Sequence, residues 1–263
     1  MSTKNRKRIR ESERQVDTVA RAMDILKCFS TGEAELSLKE LHEKTGLYKS
    51  RILRLCGTLQ TQGFLIKTPR STYELGPQNM ILGKVYEKTN TMIKVAGPIL
   101  EALVTATGES AALFIMEKNQ RFCVMKREGP SPIRYSIREG DPLPIYAGAP
   151  GKVLLAFAPP EELREILSGT VLKKITSTTI TNVDELEREL ETIRRQGYAV
   201  SRGEVVTEAL SLAAPVYDHD SRVVSAIQIG GPSQRLTPDK WPEMISKLLK
   251  SAGRLSLLLG KSD

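Results

Sequence analysis

Apolar residues in the first quarter of the chain recur every three or four positions. Val19, Met23 and Leu26 define one helix, expected over residues 18–29 and stopped near Ser30-Thr31-Gly32. Leu38 and Leu41 define a second, which opens at Ser37; Glu40, three residues on, completes a capping-box pattern, and Thr45-Gly46 ends it. Ile52, Leu55, Cys56 and Leu59 form the apolar stripe of a third helix over residues 48–61. After Gly63 the period drops to two: residues 64–67 and Tyr73-Glu74-Leu75 read as short strands about the turn at 68–72. Two short helices joined by a glycine turn and followed by a hairpin predict a winged helix-turn-helix.

The remainder follows a different rhythm. Residues 78–88 predict a connecting helix. A longer one over 92–107, with Ile93, Ala96, Ile99, Leu100 and Leu103 on its apolar side, stops at Gly108. Strands are expected over 111–116 and 122–126, about the polar turn Glu117-Lys118-Asn119-Gln120, and again over 133–137. Helices are expected over 151–157, 160–167 and 183–196, strands over 213–217 and 223–229, and a last helix over 238–259. Hairpins mixed with helices predict an α+β domain with a mostly antiparallel sheet. The chain thus divides into a flexible basic arm (1–15), a winged helix-turn-helix (16–77), a helical linker (78–91) and a larger α/β domain (92–260).

Charge sharpens the N-terminal reading. The net charge is +8 over 263 residues, and residues 1–75 hold fifteen Lys or Arg against nine Asp or Glu. Attraction to phosphate therefore acts mainly through the first quarter. Lys49, Ser50, Arg51 and Arg54 project from the first turns of the third helix, beside Tyr48, and Arg70 stands at the hairpin tip. Surfaces built for protein contact are depleted in lysine, which favours duplex DNA as the partner. Arg51 has two readings, a guanine edge in the major groove or a phosphate. The arm with Lys4, Arg6, Lys7, Arg8 and Arg10 either lies along DNA or serves as a solubilising tail.

Other classes lose ground. No apolar run approaches the ~18 residues of a membrane span. The basic start has no hydrophobic stretch behind it, so a cytoplasmic protein is expected. Cys28, Cys56 and Cys123 are far apart among apolar neighbours and read as free thiols. The two histidines, His42 and His219, have neither a GxSxG serine nor a metal-ligand set to work with, so no enzyme, metal or cofactor is expected.

The runs VDTVARAMDILKCFS, LSLKELHEKTGLYKSRILRLCGTLQTQGFL and TYELGP, in that order, resemble the DNA-binding half of the IclR family of bacterial regulators, and the resemblance extends from about residue 16 to 258. Lys49, Ser50 and Arg54 keep that family's recognition-helix pattern; Tyr48, Arg51 and Leu53 depart from it. The segment YSIREGDPLPIYAGAPGKVLLAF resembles the family's signature loop and helix. The resemblance implies a GAF-like effector-binding domain, a homodimer or homotetramer, and an inverted-repeat operator in double-stranded DNA, with repression the expected sign. It also implies an effector, a small organic acid or aromatic compound, near Leu143, Tyr146, Gly148, Ala149, Gly151, Arg202, Ser211, Gln228 and Gly230. Small residues ahead of a helix leave N–H groups open to a carboxylate, or simply permit a tight loop. Arg202, or its neighbour Ser201, takes one family position; an inward Arg202 would pair with a carboxylate, an outward one would be an ordinary surface arginine. Tyr146 either stacks on an aromatic effector or packs. The competing reading is an architectural or protein-interaction module that senses nothing.

Overall fold

The computed structural model describes residues 16–132 and 137–261. The expected basic arm, and all of the strand expected over 133–137 except Ile137, lie outside the described residues. The chain divides between Tyr86 and Glu87 into two compact units.

The first unit runs α1 (Asp17–Lys27), a 3-10 turn (Cys28–Thr31), α2 (Leu38–Thr45), α3 (Lys49–Thr61), the hairpin β1 (Leu65–Lys67) and β2 (Tyr73–Leu75), and then α4 (Pro77–Thr89), within which the division falls. The capping box forms: the Glu40 N–H donates to Ser37 Oγ at 3.2 Å, and the Ser37 N–H to Glu40 Oε2 at 2.7 Å. Gly46, at φ +68°, turns the chain out of α2 in a conformation that suits glycine. His42 Nδ1 stands 2.7 Å from the Leu47 carbonyl and pins the helix-turn-helix turn. The second and third stripes meet as expected, Leu41, Ile52 and Cys56 sharing one core with Leu65 and Tyr73, but the first is corrected: Val19 and Met23 are exposed and Leu26 is half-buried, and Ile25, with Phe29 of the 3-10 turn, supplies the buried face. An antiparallel bridge from Leu36 to Tyr73 fastens the wing to the segment before α2.

The second unit holds α5 (Thr91–Thr107), β3 (Ser110–Glu117), β4 (Gln120–Arg127), β5 (Pro142–Pro144), α6 (Ala149–Ala156), α7 (Pro160–Gly169), α8 (Val183–Gln196), β6 (Ala199–Arg202), β7 (Ala209–Tyr217), β8 (Val223–Pro232) and α9 (Trp241–Leu258). One six-stranded sheet, ordered β5-β4-β3-β8-β7-β6, is antiparallel at every pairing. Leu100, Leu103, Leu248 and Leu255 of α5 and α9 pack on one face, against Leu113, Leu212 and Ile229. Val153, Leu155, Leu186 and Leu190 of α6 and α8 cover the other, against Ala112, Phe114, Ala213 and Ala226.

Two strands, β5 and β6, were not expected, and β7 begins four residues earlier than its pattern suggested. The cause is burial: β7 is covered on both faces, so its residues are apolar or small throughout and carry no alternation. Among the described residues, no helix is long and apolar enough to cross a membrane.

Candidate DNA surface and effector site

Helix α3 presents two faces. Ile52, Leu55, Cys56 and Leu59 are buried, whereas Tyr48, Lys49, Ser50, Leu53 and Arg54 are exposed. Tyr48 is the N-cap residue and caps nothing with its side chain. Lys49 and Ser50 thus stand in the first turn, where unpaired N–H groups and the helix dipole favour a phosphate.

The two remaining arginines are engaged within the protein. Arg51 is ion-paired to Asp17 of α1, which also accepts from Arg21 Nε at 3.1 Å. Arg70 is ion-paired to Glu35, and Thr72 Oγ1 donates to the same carboxylate at 2.5 Å. The hydrogen bond from Arg51 chiefly holds the Asp17 carboxyl below its ordinary value, and that from Thr72, aided by Arg70, does so for Glu35. A carboxylate with a depressed pKa stabilises the fold above its ordinary value and loses that contribution as pH falls through the lowered one. Both ties therefore persist across the neutral range. Each carboxylate occupies one Nη2 of its arginine and competes with a phosphate or a base for the guanidinium, or else orients it, with the other N–H groups left to meet DNA. Asp17→Asn removes one competitor and is expected to tighten duplex binding roughly two- to fivefold at low salt, read by fluorescence anisotropy. Weaker binding would instead show that Asp17 orients Arg51 productively.

In the second unit, α6 opens at Gly148, with φ +83°. A β-carbon there would stand 2.9 Å from Arg121 Nη2, and one at Gly151 would stand 2.1 Å from the Ile145 carbonyl oxygen. The motif glycines thus permit close approach. The Gly148 N–H donates to Glu204 Oε2 at 3.1 Å, and Glu204 Oε1 accepts from Lys152 Nζ at 2.7 Å. Lys152, 2% exposed, also reaches Glu189 at 2.9 Å and the Val200 carbonyl at 3.3 Å. The Gly148 N–H, expected to be open to an effector carboxylate, is therefore already taken by the protein's own Glu204. Thr179 Oγ1 fixes that loop by donating to the Glu204 carbonyl at 2.7 Å.

Beneath α6 the sheet offers a run of small and polar side chains. Ser201, Ser211, Gly230 and Ser110 stand in register across β6, β7, β8 and β3. Gln228 occupies the adjoining same-face row, between Ala213 and Ala112. It is 1% exposed, and among the described residues its Oε1 has no hydrogen-bond partner. Leu143 is half-buried in β5, and Ala149 and Gly151 are buried in α6. Tyr146 is buried, and its hydroxyl is engaged twice with Lys173, donating to the carbonyl at 2.9 Å and accepting from the N–H at 3.0 Å.

Arg202 corrects the sequence reading. Alternation along β6 directs Ala199 and Ser201 towards α6, so Arg202 lies on the opposite face, its guanidinium 4.2 Å from the Trp241 ring centre. Ser201 takes the inward position. Arg121 was missed altogether: it is fully buried, donates to the Pro144 carbonyl at 2.8 Å, and lies 5.5 Å over the Phe114 ring. Its signal was an arginine two residues before Cys123, at an inward-alternating place in QRFCVMKR. The roles of Lys152 and Glu204 were also missed, because the residues are 52 positions apart and only the fold joins them.

Two of the three thiols, Cys56 and Cys123, are buried. Burial pushes the Cys56 thiol up to about 11 and the Cys123 thiol up to about 12, leaving both protonated at neutral pH. Among the described residues, no group of three potential ligands gathers around a common point.

Comparison with known proteins gives one answer over nearly the full length. Residues 18–69 match the IclR helix-turn-helix domain, and residues 85–257 match the family described as bacterial transcriptional regulator IclR C-terminal. The chain is 30% identical to the HTH-type transcriptional regulator KipR of Bacillus subtilis, over 92% of this chain and 97% of that protein. It is 28% identical to the HTH-type transcriptional repressor AllR of Escherichia coli K12, over 95% and 92% respectively. A crystal structure of an IclR-type regulator from Silicibacter sp. TM1040 superposes with a TM-score of 0.85 at 26% identity, covering 93% of this chain and 97% of that one. An IclR homologue from Microbacterium hydrocarbonoxydans, complexed with 4-hydroxybenzoate, shares the fold with a TM-score of 0.77 at 22% identity, covering 92% and 98%. The winged helix-turn-helix, the antiparallel sensory sheet and the family matches together place this chain in the IclR family of DNA-binding transcriptional regulators.

Proposed function

We propose that the protein is a cytoplasmic repressor that grips an inverted-repeat operator through α3 and the wing, and that a small metabolite held between the sheet and α6 changes that grip. The observation that carries the DNA reading is the exposed Lys49-Ser50 and Arg54 face of α3, set on a helix whose other side is committed to the core. AllR, a repressor by name, favours the sign. The effector reading rests on the buried polar positions under α6, above all Ser201, Ser211 and Gln228. An organic acid or single-ring aromatic compound suits it, and the Microbacterium homologue's 4-hydroxybenzoate is an example of that size. Gly148, Ala149, Gly151, Leu143 and Gly230 would shape the wall, and Tyr146 would support it through Lys173.

Helix α4 supports a homodimer or homotetramer. Met80, Ile81, Leu82, Val85 and Tyr86 are exposed on it, an apolar surface that a second copy of the chain would cover. Two copies would also present two recognition helices to the two halves of an inverted repeat. A ligand acts on such an assembly only by binding its DNA-competent and DNA-incompetent arrangements unequally.

The test is anisotropy of the full chain on the duplex upstream of its own gene, against excess non-specific DNA at fixed salt, with and without a panel of organic acids. Binding by an even number of copies that survives competitor and weakens with one compound is the expected result. Binding that competitor removes and no compound alters would favour a module without a sensory role.

A further inference from the structure

Resting on the DNA-binding reading above, we propose that Leu53 reads a thymine methyl group in the major groove, at one base pair of each operator half-site. Leu53 is 46% exposed on α3, turned away from the core side held by Ile52, Leu55, Cys56 and Leu59. Along the exposed ridge its neighbours, three residues before it and four after, are Ser50 and Gly57. A β-carbon at Gly57 would meet nothing within 4 Å. Both neighbours are small, so the isobutyl group meets whatever docks on this face. Leu53 also departs from the family's recognition-helix pattern, which makes the contact this chain's own.

Exposure alone does not name the occupant; the charges beside it do. Lys49 and Arg54 flank Leu53 and are exposed, and the first turn of α3 favours a phosphate. An apolar side chain among these groups, on a helix that fits the major groove, faces base edges. Leucine neither donates nor accepts a hydrogen bond, so the polar groups displayed there offer it nothing. The one apolar feature of those edges is the C5-methyl of thymine. Against that methyl, water leaves two apolar surfaces at once. Against any other base pair, leucine would cover a polar edge without replacing its water. The contact adds sequence preference and, carrying no charge, no salt dependence.

For the test, the full-length wild type first selects an operator from a pool of random duplexes. Each thymine of the selected inverted repeat is then replaced by uracil in both half-sites together, which removes the methyl and keeps the pairing. Anisotropy reads the affinities of the wild type and of three variants, Leu53→Ala, Leu53→Gln and Leu53→Met. At one position uracil should weaken the wild type about fifteenfold, about fourfold for each methyl. Leu53→Ala and Leu53→Gln should be indifferent to uracil there and keep the wild-type response at every other thymine. Both should keep the salt slope and melt within about 2 °C of the wild type. Leu53→Met, which keeps an apolar tip, should retain the preference. A wild type that ignores uracil at every thymine overturns the proposal, as does a penalty that persists in Leu53→Ala and Leu53→Gln. Equal loss of affinity for thymine and uracil duplexes in those variants overturns it too, and assigns Leu53 to holding α3 or a second copy in place. Failure to select any sequence removes the DNA-binding reading itself, whereas a selected operator that ignores uracil removes only the methyl contact.

Discussion

Lys152→Met is expected to destabilise the second unit by about 3–5 kcal/mol, a fall in melting temperature of about 10 °C, because it strands a carboxylate inside the protein. Glu204 is itself buried, and without the ammonium it would keep only the Gly148 N–H. Glu189, a third exposed, can turn towards water and adds less to the loss. Urea denaturation of the two single variants and the double variant separates the contributions. Glu204→Gln alone should be milder, since Lys152 keeps Glu189 and the Val200 carbonyl. Glu204→Gln added to Lys152→Met should recover part of the loss, because it neutralises the stranded group. A loss below about 1 kcal/mol in Lys152→Met would mean that the ammonium is solvated after all. The arrangement joins three segments of chain at one charge, so its loss should also blunt any effector response.

The second large effect is expected on DNA. Lys49→Ala together with Arg54→Ala should weaken operator binding about a hundredfold at moderate salt while leaving the melting temperature unchanged, because both side chains are exposed. The salt dependence distinguishes their roles. A side chain that neutralises one phosphate should, when removed, lower the slope of log affinity against log salt by about 0.9. A side chain that reads a base edge should leave the slope alone, cost about 1–3 kcal/mol when removed, and relax discrimination at one base pair. Anisotropy titrations of both single variants on specific and non-specific duplexes, at several salt concentrations, make the assignment. Unchanged affinity in both would remove α3 from the DNA interface.

These expectations draw unequally on the sequence. The DNA-binding unit was legible because its signals are local: a capping box at Ser37, a glycine turn at Gly46, a stripe at Ile52-Leu55-Cys56-Leu59, and a change of period after Gly63. The sensory unit was legible as an antiparallel α+β body, but its site was less so. Strand β6 is four residues long, too short for alternation to show which of Ser201 and Arg202 faces inward, and the pairing with β7 decides it. The start of α6 looked open to an anion because the residue that fills it lies far along the chain in Glu204. Arg51 and Arg70 looked free for the same reason: Asp17 and Glu35 are 34 and 35 residues away from them. In each instance the local pattern stated what a group could bind, and the fold determined what had reached it first.

Those two tethered arginines also bear on how the protein would find its operator. If Arg51 leaves for a phosphate, Asp17 keeps Arg21; if Arg70 leaves, Glu35 keeps only the Thr72 hydroxyl, and its charge then recruits a cation of its own. Fewer counterions are released than a count of arginines suggests. The molecule would therefore hold random chromosomal DNA loosely, sampling and departing quickly, and commit its guanidinium groups only where a correctly spaced pair of half-sites repays the exchange. Fast search and firm arrest would then come from the same two ion pairs.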